Sequence, residues 1–169
     1  TSNMGENQLY LNQGKLQFKN VTEQAGVGCV EAAMEGDGMS TKWSTGASVV
    51  DINNDGMLDI YVSQVNNFLN LTSKNHLFIC LRIENGVPVY EDQAVRYGLD
   101  LEGFSTQAAF FDFDLDGDLD MYQLKHSVHA NGTFGQKKSF EGTQHPFSGD
   151  KLLRNDGGKY TDVTATAGI

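Results

Sequence analysis

The sequence predicts an all-β fold built from repeated small sheets, and three observations lead to this prediction. The 169 residues include 19 glycines and only 2 prolines, which favours many tight turns between short strands. Apolar residues alternate with a period of two, as at Leu77, Ile79 and Leu81. A long segment also recurs at a fixed offset, which is typical of repeat architectures. Repeated sheets are therefore expected rather than alternating strands and helices.

The clearest repeat aligns residues 43–62 with residues 104–123, without a gap, at an offset of 61. Nine of the twenty aligned positions are identical, whereas about one would match by chance. The identical pairs are Ser44/Ser105, Thr45/Thr106, Ala47/Ala108, Asp51/Asp112, Asp55/Asp116, Gly56/Gly117, Leu58/Leu119, Asp59/Asp120 and Tyr61/Tyr122.

A second, hairpin-like element occurs three times. It begins at Leu9, Leu77 and Leu152 and ends at Gly26-Val27, Gly98-Leu99 and Gly168-Ile169. We predict one domain over 1–169, with repeat 1 at about 7–74, repeat 2 at about 75–149 and a partial repeat 3 at about 150–169. The segment 124–149 has no counterpart in the first repeat and is predicted to be a long loop.

The charge excludes several classes of partner. The chain has 12 basic and 22 acidic residues, a formal net charge of −10. A protein needs a basic face to bind nucleic acid or an anionic lipid surface, so neither partner is expected. No apolar run approaches the roughly 18–20 residues that a membrane span needs, so we expect no membrane insertion.

Two acidic loops carry the chemistry. Each spans nine residues, with side-chain oxygens at positions 1, 3, 5 and 9 and a glycine at position 6 that lets the backbone turn, so that position 7 can offer its carbonyl. The side-chain ligands predicted for the first loop are Asp51, Asn53, Asp55 and Asp59, with the carbonyl of Met57. Those predicted for the second loop are Asp112, Asp114, Asp116 and Asp120, with the carbonyl of Asp118. An all-oxygen set favours Ca²⁺ over zinc or copper, so two calcium sites are predicted.

The alternative interpretation is a pair of solvated acidic turns, but three or four carboxylates within nine residues repel one another without a cation. An EF-hand is excluded because position 12 is Val62 in one loop and Gln123 in the other, where that motif needs glutamate. The flanking residues indicate strands rather than helices. Loop two replaces Asn53 by Asp114 and adds Asp118, so it is predicted to bind more tightly.

These residues resemble a known family. The stretch T-G-A-S-V-V-D-I-N-N-D-G-M-L-D-I-Y-V resembles the FG-GAP/VCBS repeat of integrin α-type β-propellers. The phrase L-Y-L-N-Q-G-K-L-Q-F-K-N-V-T-E-Q-A-G-V is similar to repeats of bacterial proteins like cartilage acidic protein, the ASPIC/UnbV type. The resemblance implies a partial β-propeller of tandem four-stranded blades, each with a calcium loop between two strands. The resemblance implies the same calcium ligands in both loops. Asn53 stands where the family more commonly has aspartate.

The chain is short for such a fold. Propellers close with about four to eight blades, and four blades of this repeat need about 240 residues. We therefore expect either a fragment of a longer protein or a sheet completed by another copy. Open propeller edges also favour self-association.

The resemblance implies a calcium-binding module of a secreted, extracellular or cell-surface protein, acting as a binding and adhesion scaffold for a protein or glycan ligand. One alternative is part of a calcium-dependent polysaccharide-active enzyme, with the loop 124–149 lining a cleft. Another is a purely structural spacer. The sequence lacks a paired acid and base, which favours binding over catalysis, so an enzyme is not expected.

Two weaker signals remain open. His126, His129 and His145 fall in one polar segment and offer a transition-metal site, although loop histidines are usually just polar. The two cysteines, Cys29 and Cys80, are not equivalent in the repeats. We expect free thiols, because small buried cysteines are common.

Overall fold

A computed structural model describes residues 7–28, 42–67, 71–127 and 147–169. The strands are β1 (Tyr10–Asn12), β2 (Phe18–Asn20), β3 (Trp43–Val50), β4 (Asp59–Val65), β5 (His76–Glu84), β6 (Val87–Asp92), β7 (Ser105–Phe111), β8 (Asp120–Lys125), β9 (Lys151–Asn155) and β10 (Tyr160–Asp162). Three one-turn helices follow the hairpins: α1 (Thr22–Ala25), α2 (Ala94–Tyr97) and α3 (Thr164–Ala167).

The strands form three antiparallel sheets. The first sheet has the order β3-β4-β5-β6, the second has the order β7-β8-β9-β10, and β1 pairs with β2 in a hairpin. Neighbours in sequence are thus neighbours in space. The all-β prediction is confirmed, whereas the three helical turns were not predicted.

The sheets are offset from the sequence repeats. Each sheet begins with the two strands around an acidic loop and ends with the hairpin of the next repeat, so the sheets run from 43 to 92 and from 105 to 162. The hairpin β1-β2 corresponds by sequence to β5-β6 and β9-β10. Each full sheet therefore places an acidic loop and the following hairpin in one hydrogen-bonded unit.

The two full sheets approach most closely at their first strands. Thr45 Oγ1 donates to the carbonyl of Ser105 at 2.7 Å, and Ser48 Oγ donates to the carbonyl of Ala108 at 2.5 Å. Glycine is required at Gly46, because a Cβ there would lie 2.3 Å from the Thr106 carbonyl oxygen. Side-chain hydroxyls of β3 thus bind the backbone of β7.

A hydrophobic core fills the space between the two sheets. It contains Ile52, Tyr61, Leu77, Ile79, Ala94, Tyr97, Leu99, Ala108, Met121, Leu153 and Tyr160. A smaller core lies between the N-terminal hairpin and the first sheet and contains Val21, Ala25, Val27, Val62, Phe78 and Val87. Both cores lie between successive units, so burial of apolar surface couples each unit to the next.

Polar groups inside the larger core satisfy one another. The Tyr61 hydroxyl accepts from Asn75 Nδ2 at 2.8 Å and lies 3.1 Å from Gln123 Oε1, across the sheet interface. Burial raises the pKa of Tyr61. The hydroxyl therefore stays neutral and serves as a hydrogen-bonding link between the sheets.

Several sequence predictions concern other parts of the chain. Cys80 is a buried free thiol, as expected, and Cys29 lies outside the described residues. His126 is described, with Nδ1 2.6 Å from the Ser127 carbonyl, while His129 and His145 lie outside the described residues. Within the described ranges, no helix has the length and apolar character to cross a bilayer.

The sheet interface gives a stability prediction. Leu99 is 0% exposed within the larger core, whereas Val95, four residues earlier, is 79% exposed. Leu99→Ala should lower the free energy of unfolding by about 2–5 kcal/mol, because it leaves a cavity between the sheets. The control Val95→Ala should change it by less than about 0.5 kcal/mol. Urea unfolding measures both, and equal effects would contradict the described packing.

Candidate metal centre

Both acidic loops lie between strands, as predicted. The first loop, 51–59, joins β3 to β4, and the second loop, 112–120, joins β7 to β8. The two strands around each loop pair directly, Val50 with Asp59 and Phe111 with Asp120. Each loop is therefore the connection of a β-hairpin, at the same place in both full sheets.

The backbone of each loop wraps around its first carboxylate. The carboxylate of Asp51 accepts the N–H groups of Asp55 at 3.0 Å and Gly56 at 2.8 Å. The carboxylate of Asp112 accepts those of Asp116 at 3.2 Å and Gly117 at 3.1 Å. The turn needs a glycine at position 6, where φ is +86° at Gly56 and +98° at Gly117.

Loop two gathers three carboxylates into one cluster. One oxygen from each of Asp112, Asp114 and Asp116 lies within 4.8 Å of the other two. Two oxygens that bind the same Ca²⁺ at 2.3–2.6 Å can be at most about 5 Å apart, so this cluster fits a calcium ion. The donors are all hard oxygens, which suits Ca²⁺ better than zinc or copper.

Loop one has a less charged version of the same arrangement. Asn53 takes the place of Asp114, and its Nδ2 donates to Asp55 Oδ2 at 2.8 Å. The Oδ1 atom of Asn53 also lies 3.2 Å from the Asp55 N–H. Three candidate ligands are thus close together, but only two of them are carboxylates, so the loop carries less mutual repulsion and less attraction for a cation.

The aspartates at position 9 are buried and anchor the loops. Asp59 and Asp120 are both 0% exposed. Asp59 accepts the N–H groups of Ile52 at 3.0 Å and Cys80 at 2.8 Å. Asp120 accepts those of Phe113 at 2.9 Å and Asn155 at 2.8 Å. Each carboxylate therefore ties its loop to the third strand of the same sheet, in addition to the ligand role that the sequence predicts.

Residues at position 7 were predicted to offer backbone carbonyls. The Met57 N–H donates to Asp55 Oδ1 at 2.8 Å, and the Asp118 N–H donates to Asp116 Oδ1 at 3.1 Å. Both residues thus lie against the acidic groups through their backbone. The two carboxylate oxygens of Asp118 have different surroundings. Its Oδ2 lies 3.4 Å from the Gly157 N–H, and its Oδ1 is buried without a hydrogen-bond partner.

Burial and neighbouring carboxylates raise the pKa of a carboxyl in each loop. Burial, followed by the nearby Asp55 and Asp51, raises the pKa of Asp59. Loss of water contact, followed by repulsion from Asp116, raises the pKa of Asp114. A carboxyl with a raised folded pKa stabilises the fold below its unfolded pKa, and that contribution is lost as the pH rises through the folded pKa. A bound divalent cation would offset this loss.

No protein-family model matches the chain, and no curated protein is significantly similar to it. The interpretation of the site therefore depends on its own geometry and on the sequence resemblance.

Sequence reasoning missed the contributions of residues outside the loops. Cys80 and Asn155 bind the position-9 aspartates through backbone N–H groups, and Gly157 does the same for Asp118. Backbone donors carry no side-chain signature. The recurrence of the hairpin element was the sequence signal that β5 and β9 occupy equivalent positions in their sheets.

The anchoring role predicts opposite effects for two aspartates of loop two. Asp120→Asn has a single acceptor for two backbone donors, so in the presence of a chelator it should lose about 1–3 kcal/mol of unfolding free energy at neutral pH. Asp114→Asn, at an exposed position, removes like-charge repulsion and should leave stability unchanged or raised. Chemical denaturation in chelator compares the two, and an undiminished stability for Asp120→Asn would contradict the anchoring role.

Proposed function

We propose that the chain is a calcium-stabilised repeat module that acts as a binding scaffold. The observation that carries the proposal is the cluster of Asp112, Asp114 and Asp116, whose oxygens lie within 4.8 Å of one another. A shared cation would account for three like charges at this distance. It would also account for the same loop recurring at the same place in a second sheet.

We further propose that the two full sheets are blades of a partial β-propeller. Each is a four-stranded antiparallel sheet with its strands in sequence order, as in propeller blades. The sheets pack face to face through a shared core, with their first strands closest together. The FG-GAP/VCBS resemblance adds that calcium loops in such blades join neighbouring strands.

Calcium would act as a structural ion in this proposal. Asp112, Asp114, Asp116 and Asp120 would hold it in loop two, with the carbonyl of Asp118. Asp51, Asn53, Asp55 and Asp59 would hold it in loop one, with the carbonyl of Met57. The buried Asp59 and Asp120 would keep both loops in a binding conformation. Calcium neutralises the carboxylates and stabilises the folded chain by mass action, because the unfolded chain lacks the site.

We also propose a scaffold role and an extracellular location. The resemblance supports a secreted or cell-surface protein that binds a protein or glycan ligand. Extracellular calcium is millimolar, so weak sites would still be filled there. The net charge of −10 is consistent with such a module and disfavours nucleic acid as the ligand.

Thermal unfolding with calcium, with magnesium and with chelator tests the proposal. Calcium at 100 times the dissociation constant should stabilise the chain by about 2.7 kcal/mol per site, and magnesium at the same concentration by much less. The double variant Asp112→Ala with Asp116→Ala should remove the larger part of the gain. The matching change in loop one should remove the smaller part, because loop two carries more charge.

The control removes the same charge elsewhere. Glu84→Ala with Glu91→Ala deletes two exposed acids on β5 and β6 that belong to neither loop. This variant should keep the whole calcium gain. An identical melting temperature for the wild-type chain in calcium and in chelator would contradict the proposal.

A further inference from the structure

Loop two is held by the hairpin β9-β10, which follows it in the same sheet. Residues 156–159 form the turn of this hairpin, and Asn155 and Tyr160 flank the turn. The two residues pair directly across the strands. They are 2% and 6% exposed. Both positions are therefore fixed by the sheet.

Two side chains of this hairpin bind the carbonyl of Leu119, at position 8 of the loop. Asn155 Nδ2 donates to the carbonyl oxygen at 3.2 Å, and the Tyr160 hydroxyl donates to the same oxygen. Burial is the main cause that raises the pKa of Tyr160, so the hydroxyl keeps its proton and remains a donor. The two lone pairs of the carbonyl can accept both bonds. The peptide group between positions 8 and 9 is thus fixed relative to the hairpin.

Asn155 is itself held in one orientation. Its Oδ1 accepts the Gly158 N–H at 2.7 Å, and its backbone N–H donates to Asp120 Oδ1 at 2.8 Å. Because Oδ1 and Nδ2 both have partners, a flip of the amide would break two hydrogen bonds. Asn155 alone therefore contacts position 8 and position 9 of the loop.

The turn of the hairpin also contacts position 7. The Gly157 N–H lies 3.4 Å from Asp118 Oδ2. The other oxygen of this carboxylate, Oδ1, is buried without a hydrogen-bond partner. A buried oxygen without a partner costs free energy, and a cation bound beside it would remove that cost. The hairpin thus holds positions 7, 8 and 9 of loop two in an arrangement that suits a cation.

Loop one is held at fewer positions. The residues equivalent to Asn155 and Tyr160 are Cys80 and Tyr90, which pair across β5 and β6 in the same way. The Cys80 N–H donates to Asp59 at 2.8 Å, which repeats the contact at position 9. Cysteine has no amide that could bind position 8. In the ranges that the structure describes, no hydrogen bond joins the Tyr90 side chain to loop one.

These contacts affect calcium affinity through the conformation of the loop before the ion binds. The apparent dissociation constant increases as the fraction of chains in the binding conformation decreases. A loop held at three positions keeps a larger fraction in that conformation than a loop held at one. It also loses less conformational entropy when the ion binds. Charge is therefore only one of two differences between the loops.

We propose that Asn155 and Tyr160 are positioning residues for the calcium site of loop two, which they hold in its binding conformation before the ion arrives. The inference rests on the proposed calcium function and deepens it. Neither residue is a ligand in this arrangement. Both act through the carbonyl of Leu119, and Asn155 acts through Asp120 as well. Part of the higher affinity of loop two then comes from the hairpin rather than from the charge of the loop.

Calorimetric titration with Ca²⁺ of a chain that keeps only loop two tests the inference. Asp51→Ala with Asp55→Ala removes the site in loop one. In this background, Tyr160→Phe should raise the dissociation constant about three- to tenfold, because the loop loses one hydrogen bond. Asn155→Cys introduces the residue that the first sheet has at this position. It should raise the dissociation constant at least as much, since it removes both contacts of the amide.

The matched control removes the equivalent hydroxyl from the first sheet. Asp112→Ala with Asp116→Ala leaves only loop one, and Tyr90→Phe in this background should leave the dissociation constant unchanged. A general loss of stability would affect both pairs of variants, whereas a positioning role affects loop two alone.

Hydrogen exchange in the presence of a chelator gives a second measurement that does not depend on calcium. The Gly117 N–H donates to Asp112 at 3.1 Å, and the Gly56 N–H donates to Asp51 at 2.8 Å. In the chain with both loops intact, Tyr160→Phe should speed exchange at Gly117 and leave exchange at Gly56 unchanged.

The outcomes separate this inference from the proposed function. If loop two binds calcium and neither Tyr160→Phe nor Asn155→Cys changes its dissociation constant, the positioning role is overturned and the calcium site stands. If the chain that keeps only loop two binds no calcium, the proposed function is overturned and the positioning role with it.

Discussion

The buried carboxylates of Asp59 and Asp120 are the constraint on which the acidic loops depend. Each accepts one N–H from its own loop and one from the third strand of its sheet. These bonds hold the loop against the sheet, so the remaining acids extend from a fixed turn. Both carboxylates are 0% exposed, and their hydrogen bonds offset the free-energy cost of burying a charged group. The fold thereby concentrates negative charge at one end of each hairpin, where a divalent cation would relieve the repulsion.

Packing between units depends on a different repeated feature. The one-turn helix and its glycine place apolar residues such as Val27 and Leu99 against the next sheet, and hydroxyl groups of β3 bind the backbone of β7. The chain thus resembles a one-dimensional array, in which each unit is stabilised mainly by its neighbours.

Much of the architecture could be predicted from the sequence because the repeat is exact where chemistry demands it. Strand alternation and the Asp-Gly turns predicted the hairpins and the positions of both acidic loops. The anchoring of Asp59 by Cys80 could not be predicted, since it uses a backbone donor 21 residues away in the sequence. The one-turn helices were also missed, because a four-residue turn such as Thr-Glu-Gln-Ala carries no periodicity. The burial of Val27 depends on packing against the first sheet, which a local pattern does not contain.

We propose that the two acidic loops are calcium sites of unequal strength. Diffraction from crystals of the chain grown with limiting calcium, recorded at a wavelength where calcium scatters anomalously, tests this most directly. We expect an anomalous peak among Asp112, Asp114 and Asp116, and a weaker one among Asp51, Asn53 and Asp55. Saturating calcium should bring the two peaks to equal height. Loops that keep this conformation in saturating calcium, with no anomalous peak in either, would contradict both calcium sites.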